Sequence, residues 1–397
     1  MLCESKKASI GMKLLIYHWT SYLQYDVYEI CKEKSINFQI FEWQFESKNR
    51  DENFTKWFCD TIPSGEYDAV LSINYYPVLS DVCMKKQIKY IALCYDNPLN
   101  VELIEETLGN SVNYVFLFDK IQFWQYAKQG FQTVYHLPLG VNRTRLTNLK
   151  ISEAERKKYA AEVSFVGNLY ESLLYELMAP MDDYTKGYLN ALMDIQRQIY
   201  GHYILDEAIS EELIQNINSQ YLKQNPKTKL RLSKQALTFA MASEITRKDR
   251  LILLNICGVR YDTKFYSRDE SSLVKHVTKC GQVDYVEEMP KVFACSKVNL
   301  NPSLRIIQTG IPLRAFDVMG AGGFLLTNYQ EELYEYYENE KDMVIYESME
   351  DAVEKIRFYL EHEDIRCKIA ESGRRKTLEE HSLQERIGKI LKVAGLA

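Results

Sequence analysis

Over its first 137 residues the chain alternates short apolar runs with helical patterns, and this alternation restricts it to a parallel α/β architecture. Strands are read at Lys13–Tyr17, Asn37–Trp43, Asp68–Ile73, Ile88–Leu93, Tyr114–Phe118 and Thr133–Leu137. Helices fill Tyr22–Lys34, Asn53–Thr61, Val78–Lys86, Val101–Leu108 and Ile121–Gly130. Several of the strands are nearly continuous apolar runs, the pattern of a sheet covered by helices on both faces. Tyr17-His18-Trp19-Thr20 follows the first strand where a dinucleotide-binding fold would carry GxGxxG, which argues against that fingerprint.

A chain of 397 residues exceeds the usual single-domain range, so two domains are expected. Residues 1–11 precede the first strand without a signal-peptide core and read as a disordered extension; 12–145 form the first domain and 146–160 a polar linker. The second domain, 161–382, opens with Glu162-Val-Ser-Phe-Val-Gly-Asn168, a buried strand ending in a glycine turn. A long helical insert at about 170–257, broken near Pro180 and Pro226, is more helix than one crossover needs. Strands then return at Val259–Tyr266, Gln282–Asp284, Val298–Asn301, Phe324–Asn328 and Met343–Tyr346. Ser348-Met-Glu-Asp351 has a capping-box pattern, and the chain ends in helices at Ile365–Glu380 and Leu383–Val393.

Hydrophobic residues at 46% and charged ones at 26% describe an ordinary globular protein, and a net charge of -6 gives no reason to expect nucleic-acid binding. No apolar run reaches the length of a transmembrane helix. The nine cysteines, without CxxC spacing or a zinc-like cluster with histidine, read as reduced thiols of a cytoplasmic protein. Asp182-Asp183 lies in the helical insert rather than after a strand and reads as surface charge, not a metal site.

The chemistry is concentrated in Asn299-Leu-Asn-Pro-Ser-Leu-Arg305, Gln308-Thr-Gly-Ile-Pro-Leu-Arg-Ala-Phe-Asp317 and Gly320-Ala-Gly-Gly-Phe-Leu-Leu-Thr-Asn328. The order is strand, loop, short helix, glycine stop and buried strand. Pro312 suits a first helical turn, whose unpaired N–H groups and dipole attract an anion. Arg305 and Arg314 flank the Thr309-Gly310-Ile311-Pro312 turn, and Asp317 follows it. Backbone donors and arginines suit a diphosphate, and a carboxylate suits sugar hydroxyls, so a nucleotide-sugar is the simplest ligand. Arg314 and Asp317 also fit a plain i, i+3 ion pair. Gly167 and Asn168 lie where a ligand approaches a doubly wound sheet, although a plain turn explains them as well. Arg247 and Arg250, in Thr246-Arg-Lys-Asp-Arg250, are further arginines able to touch a phosphate or to form a solvated face.

The segment Gly281–His381 resembles the donor-binding domain of GT-B glycosyltransferases, in particular the CgeB-like (spore maturation protein) branch, whose pattern runs SK-NLN…GIP-R-FD--GAGGFLLTNY. The region Met12–Asn142 is similar to the accompanying N-terminal domain. The resemblance implies two Rossmann-like domains facing a cleft, with 383–397 returning to the first domain. It implies transfer of a hexose from a nucleoside-diphosphate sugar, a UDP-sugar by preference, to a protein or glycan hydroxyl, without metal or other cofactor. It also makes Gln282-Val-Asp-Tyr285 the loop beside the base, with Tyr285 placed to stack or simply to pack. Many members carry Glu-x7-Glu where this chain has Thr309 and Asp317. Thr309 brings no charge there, and its backbone, with that of Gly310, is expected to face the phosphates. A nucleotide-sugar 2-epimerase or a non-catalytic nucleotide-sugar-binding module shares the fold and stands as the alternative. The oligomeric state and the choice between inversion and retention are not decided by the sequence.

In the first domain, His18, Asn74 and Asp96 follow three different strands, which a parallel sheet brings to one edge. Asp96 fits a general base for an acceptor hydroxyl, with His18 as the alternative base, although an Asp before Asn-Pro also forms turns. Tyr75 and Tyr76, beside Asn74, are expected to offer flat surfaces to the acceptor.

Overall fold

The computed structural model describes residues 11–99, 101–102 and 104–396. The expectation for the first eleven residues lies, Gly11 apart, outside them. The chain divides into two compact units, one of residues 1–143 with 381–397, the other of 144–380.

The first unit is a six-stranded parallel sheet in the order β2-β1-β3-β4-β5-β6. The strands are β1 (Lys13–His18), β2 (Asn37–Glu42), β3 (Ala69–Ile73), β4 (Lys89–Leu93), β5 (Asn113–Leu117) and β6 (Val134–His136). Every residue of β3, Ala-Val-Leu-Ser-Ile, is buried, as a central strand sandwiched between helices requires. Asp51 caps the helix Glu52–Thr61 by accepting from the Phe54 N–H, and that helix buries Phe54 and Phe58 against the sheet. Such a cap contributes about 0.5–2 kcal/mol. The last helix, Leu383–Val393, packs on Gln24–Glu33; the Leu383 N–H donates to the Val141 carbonyl at 2.7 Å, and the Lys89 ammonium donates to the Ala394 carbonyl at 2.6 Å.

The second unit is another six-stranded parallel sheet, in the order β12-β11-β10-β7-β8-β9. Its strands are β7 (Ala161–Val166), β8 (Thr263–Tyr266), β9 (Thr278–Lys279), β10 (Ser296–Asn301), β11 (Leu325–Asn328) and β12 (Val344–Tyr346). Residues 146–160, read as a linker, include the helix Glu153–Tyr159, opened by a capping box between Ser152 and Glu155. The helix Lys234–Arg260 takes the first two residues of the expected strand at Val259, so β8 begins only at Thr263. Gln282–Asp284 is not a strand; the edge strand β9 precedes it. The helical insert has its own core, including Leu189, Ile217, Tyr221 and Met241, and this core takes in Leu304 and Ile306 from the loop after β10. Asp182 caps the insert helix Asp183–Gln198. Leu313–Gly320 stops at Gly322, whose φ of 86° suits glycine and whose N–H donates to the Met319 carbonyl.

Candidate functional site

In the second unit β7 neighbours both β8 and β10, so the chain reverses its direction of winding between β7 and β10. A crevice forms at the carboxyl ends of strands at such a point. Gly167 and Asn168 lie on one side of it and Pro302–Arg305 on the other. Arg250 bridges the two sides. Its Nε and Nη2 donate to the Pro302 carbonyl at 3.0 and 2.7 Å, and its Nη1 donates to the Asn168 carbonyl. Its guanidinium also lies over the Phe165 and Tyr170 rings. Gly167 adopts a φ of 154°, and a Cβ there would stand 3.3 Å from the Phe165 ring and 3.8 Å from Arg250 Nη1. Burial pushes the Arg250 guanidinium below its ordinary pKa. The sequence placed Arg250 in a cluster without singling it out; only its burial, 7% exposed, marks it.

Arg247 and Arg305 require correction as donor ligands. Arg247 is bidentate to Glu244, with Nε and Nη2 each 2.7 Å from a carboxylate oxygen. Arg305 turns into the insert, donating from Nε and Nη2 to Asp249 Oδ2 at 3.1 and 2.7 Å and to the Ile199 and Arg197 carbonyls, with its guanidinium 3.8 Å from the centre of the Tyr200 ring. Arg197 Nε lies 3.6 Å from the other Asp249 oxygen. A side chain so engaged fixes the loop after β10, leaving its donors no path to a phosphate.

Beyond that loop lies the turn Thr309–Pro312. Pro312 stands one position ahead of the helix, as its N-cap, rather than in the first turn, and no side chain caps this end. Gly310 and Ile311 are buried, and their N–H groups have no hydrogen-bond partner among the described residues. Thr309 donates from Oγ1 to Glu332 Oε1 at 3.1 Å, so a carboxylate stands beside the uncharged residue 309. Asp317 is buried; its Oδ1 accepts from the Tyr285 hydroxyl at 3.0 Å, and its Oδ2 lies 3.7 Å from Arg314 Nη1. Tyr285, 8% exposed with Arg145 over its ring, packs in this arrangement rather than presenting a face.

In the first unit the winding reverses between β1 and β3. His18 ends β1 and Asn74 follows β3, with φ at 65°. The Asn74 side chain organises the loop after β4. Its Oδ1 accepts from the Tyr95 and Asp96 N–H groups at 3.0 and 3.2 Å, and its Nδ2 donates to Asp96 Oδ2 at 2.6 Å. Burial raises the Asp96 pKa, against the Asn74 hydrogen bond and the Lys48 charge, which lower it. Lys48 is carried on a loop wrapped around Asp51, which accepts from Glu46 N–H and Trp43 Nε1; its ammonium lies 5.7 Å from the Tyr76 ring centre. His18 Nδ1 is 2.8 Å from the Tyr28 hydroxyl, and its Nε2 is 3.9 Å from Glu42. Tyr75 and Tyr76 are corrected: both are buried, the Tyr75 hydroxyl pairing with Thr107 Oγ1 and the Tyr76 N–H donating to the Tyr90 hydroxyl, so neither offers an open surface.

Among the described residues there is no group of three or more His, Cys, Asp or Glu able to hold a metal, and no helix is long and apolar enough to cross a membrane. Residues 240–392 match the family model described as Glycosyl transferase-like. No curated protein matches the chain. Among solved structures, Anabaena Alr3699/HepE in complex with UDP and glucose aligns over 96% of this chain and 100% of its own, with a TM-score of 0.52 at 9% identity. Sucrose-phosphate synthase from Thermosynechococcus elongatus aligns over 96% and 98%, with a TM-score of 0.53 at 10% identity. WaaG, a glycosyltransferase involved in lipopolysaccharide biosynthesis, aligns over 96% and 99%, with a TM-score of 0.52 at 12% identity. The fold is GT-B. Within this GT-B chain the glycosyl transferase-like segment begins in the helix Lys234–Arg260 and takes in β10, the Thr309–Pro312 turn and Asp317.

Proposed function

We propose that this protein is a metal-independent glycosyltransferase of the hexosyltransferase type and of the CgeB-like branch. It takes a sugar from a nucleoside-diphosphate sugar and transfers it to a protein or glycan hydroxyl. The observation that carries the reading is the pair of unpartnered N–H groups at the buried residues Gly310 and Ile311, directly ahead of an uncapped helix N-terminus. Buried amides without partners are costly, and a diphosphate oxygen satisfies them while meeting the positive end of the helix dipole. Arg250, at the winding reversal, directs its donors to the Pro302 and Asn168 carbonyls and acts on the departing diphosphate through its charge alone. Asp317, beside the Tyr285 hydroxyl, supplies the carboxylate for the ribose hydroxyls. The HepE structures hold UDP, glucose or UDP-glucose, which supports uridine as the base. All eight described cysteines are free thiols, which supports a cytoplasmic setting.

A ligand bound only by the native state stabilises it with concentration. UDP at a hundred times its Kd is expected to add about 2.7 kcal/mol, and to do so in EDTA. A melting temperature indifferent to every nucleoside diphosphate, or responsive only with metal present, contradicts the reading.

In the first unit Asp96 acts as the general base, oriented by Asn74. Its pKa is raised, so the carboxylate that accepts the acceptor proton forms only above the ordinary aspartate range, and the acid limb of kcat/KM moves up accordingly. Lys48 opposes that rise. Lys48→Met is therefore expected to move the acid limb to still higher pH and Lys48→Arg to leave it in place, as pH–rate profiles would show. An unmoved limb in Lys48→Met removes either the lysine's influence or the assignment of Asp96.

A further inference from the structure

The anion-binding turn owes its orientation to a helix that follows β11. The Glu332 N–H, in the first turn of Glu331–Tyr336, donates to the Thr309 carbonyl at 3.1 Å, and the Thr309 hydroxyl donates back to the Glu332 carboxylate at 3.1 Å. One residue earlier, Gln330 Nε2 donates to the Ile307 carbonyl at 3.3 Å. The helix start thus grips the chain at two points just before Gly310. The sole cis peptide among the described residues is Asn97–Pro98, so the Thr309–Gly310 peptide is trans. In a planar trans peptide the C=O and N–H point in opposite directions. With the Thr309 carbonyl held against Glu332, the Gly310 N–H faces away from that helix, and it is one of the two N–H groups of this turn without a partner.

We propose that Glu332 is a positioning residue for the donor diphosphate, acting through Thr309 to aim the Gly310 N–H at a phosphate oxygen. This rests on the donor reading above. Glu332 is fully buried and so acts on the ligand through the turn rather than by contact. Its carboxylate and the Thr309 hydroxyl close a second hydrogen bond, the latch, beside the backbone one, and removing either end loosens the same peptide plane.

The experiment is calorimetric titration of the full chain with UDP and, separately, with uridine. Glu332→Leu and Thr309→Val are each expected to weaken UDP about three- to tenfold, the worth of one hydrogen bond. The double variant should weaken UDP no further than either single one, because both changes remove the same interaction. Uridine affinity should stay unchanged in all three. Glu332→Gln, which keeps an acceptor for the Thr309 hydroxyl, should bind UDP like the unaltered protein. Unchanged UDP affinity in Thr309→Val, additive losses, or a matching loss of uridine overturns the latch while leaving the donor site in place. Failure of the unaltered protein to bind UDP removes the donor reading and the latch together.

Discussion

Replacing Arg305 with alanine is expected to destabilise the second unit by about 3–5 kcal/mol, the usual cost of leaving a buried carboxylate without its ion-pair partner. Asp249 is 3% exposed, and its Oδ2 accepts both of the Arg305 hydrogen bonds. After the substitution Asp249 keeps Arg197 at 3.6 Å, which does not replace a close two-donor contact. The loop after β10 would also lose its anchors on the Ile199 and Arg197 carbonyls. Denaturant unfolding measures the loss. The double variant Arg305→Met, Asp249→Leu, which removes both charges, should recover most of it, since replacing a buried pair by apolar groups is often neutral. A loss below about 1 kcal/mol in Arg305→Ala would mean that the pair is solvated, in the range of surface salt bridges.

Asp96→Asn is expected to lower transfer by about 10²–10⁴-fold, the usual contribution of a positioned general base, with UDP affinity unchanged. The amide keeps an oxygen able to accept from Asn74 Nδ2 but cannot take the acceptor's proton. UDP affinity is the control because Asp96 and the Thr309–Pro312 turn belong to different compact units. Steady-state rates and UDP titration on the same preparation decide the matter. Full transfer activity would pass the role to His18, or point to a retaining mechanism that needs no enzymic base.

The central strands β1, β3 and β4 were legible because a parallel strand buried on both faces is a nearly continuous apolar run. Leu14-Leu-Ile-Tyr17 and Ala69–Ile73 announce β1 and β3 without help from their partners. The boundary at Val259 was not legible, because Val-Arg-Tyr suits a strand as well as a helix end. Gly258 shows what the sequence leaves out: a Cβ there would meet the His276 carbonyl at 2.7 Å, a close approach invisible in a local window. The arginines mislead for the same reason. Thr246-Arg-Lys-Asp-Arg250 reads as one charged face, yet Arg247 pairs with Glu244 while Asp249 and Arg250 turn inward to different partners. Arg305 follows a buried strand, where a phosphate ligand belongs, but the carboxylate it meets lies 56 residues earlier. Tyr75 and Tyr76 follow a strand end as site residues do, and only the distant Thr107 and Tyr90 reveal that they are packed. The turn at Gly310 and the helix Leu313–Gly320 after it were readable because proline before the helix and glycine after it are local signals.

The most direct test of the account is release of nucleoside diphosphate from a panel of sugar donors by the purified full chain in EDTA. Release of UDP from at least one UDP-sugar, faster than from the matching donors carrying other bases, is the predicted result. A chain that releases no nucleoside diphosphate from any donor, or does so only when metal is restored, would contradict it.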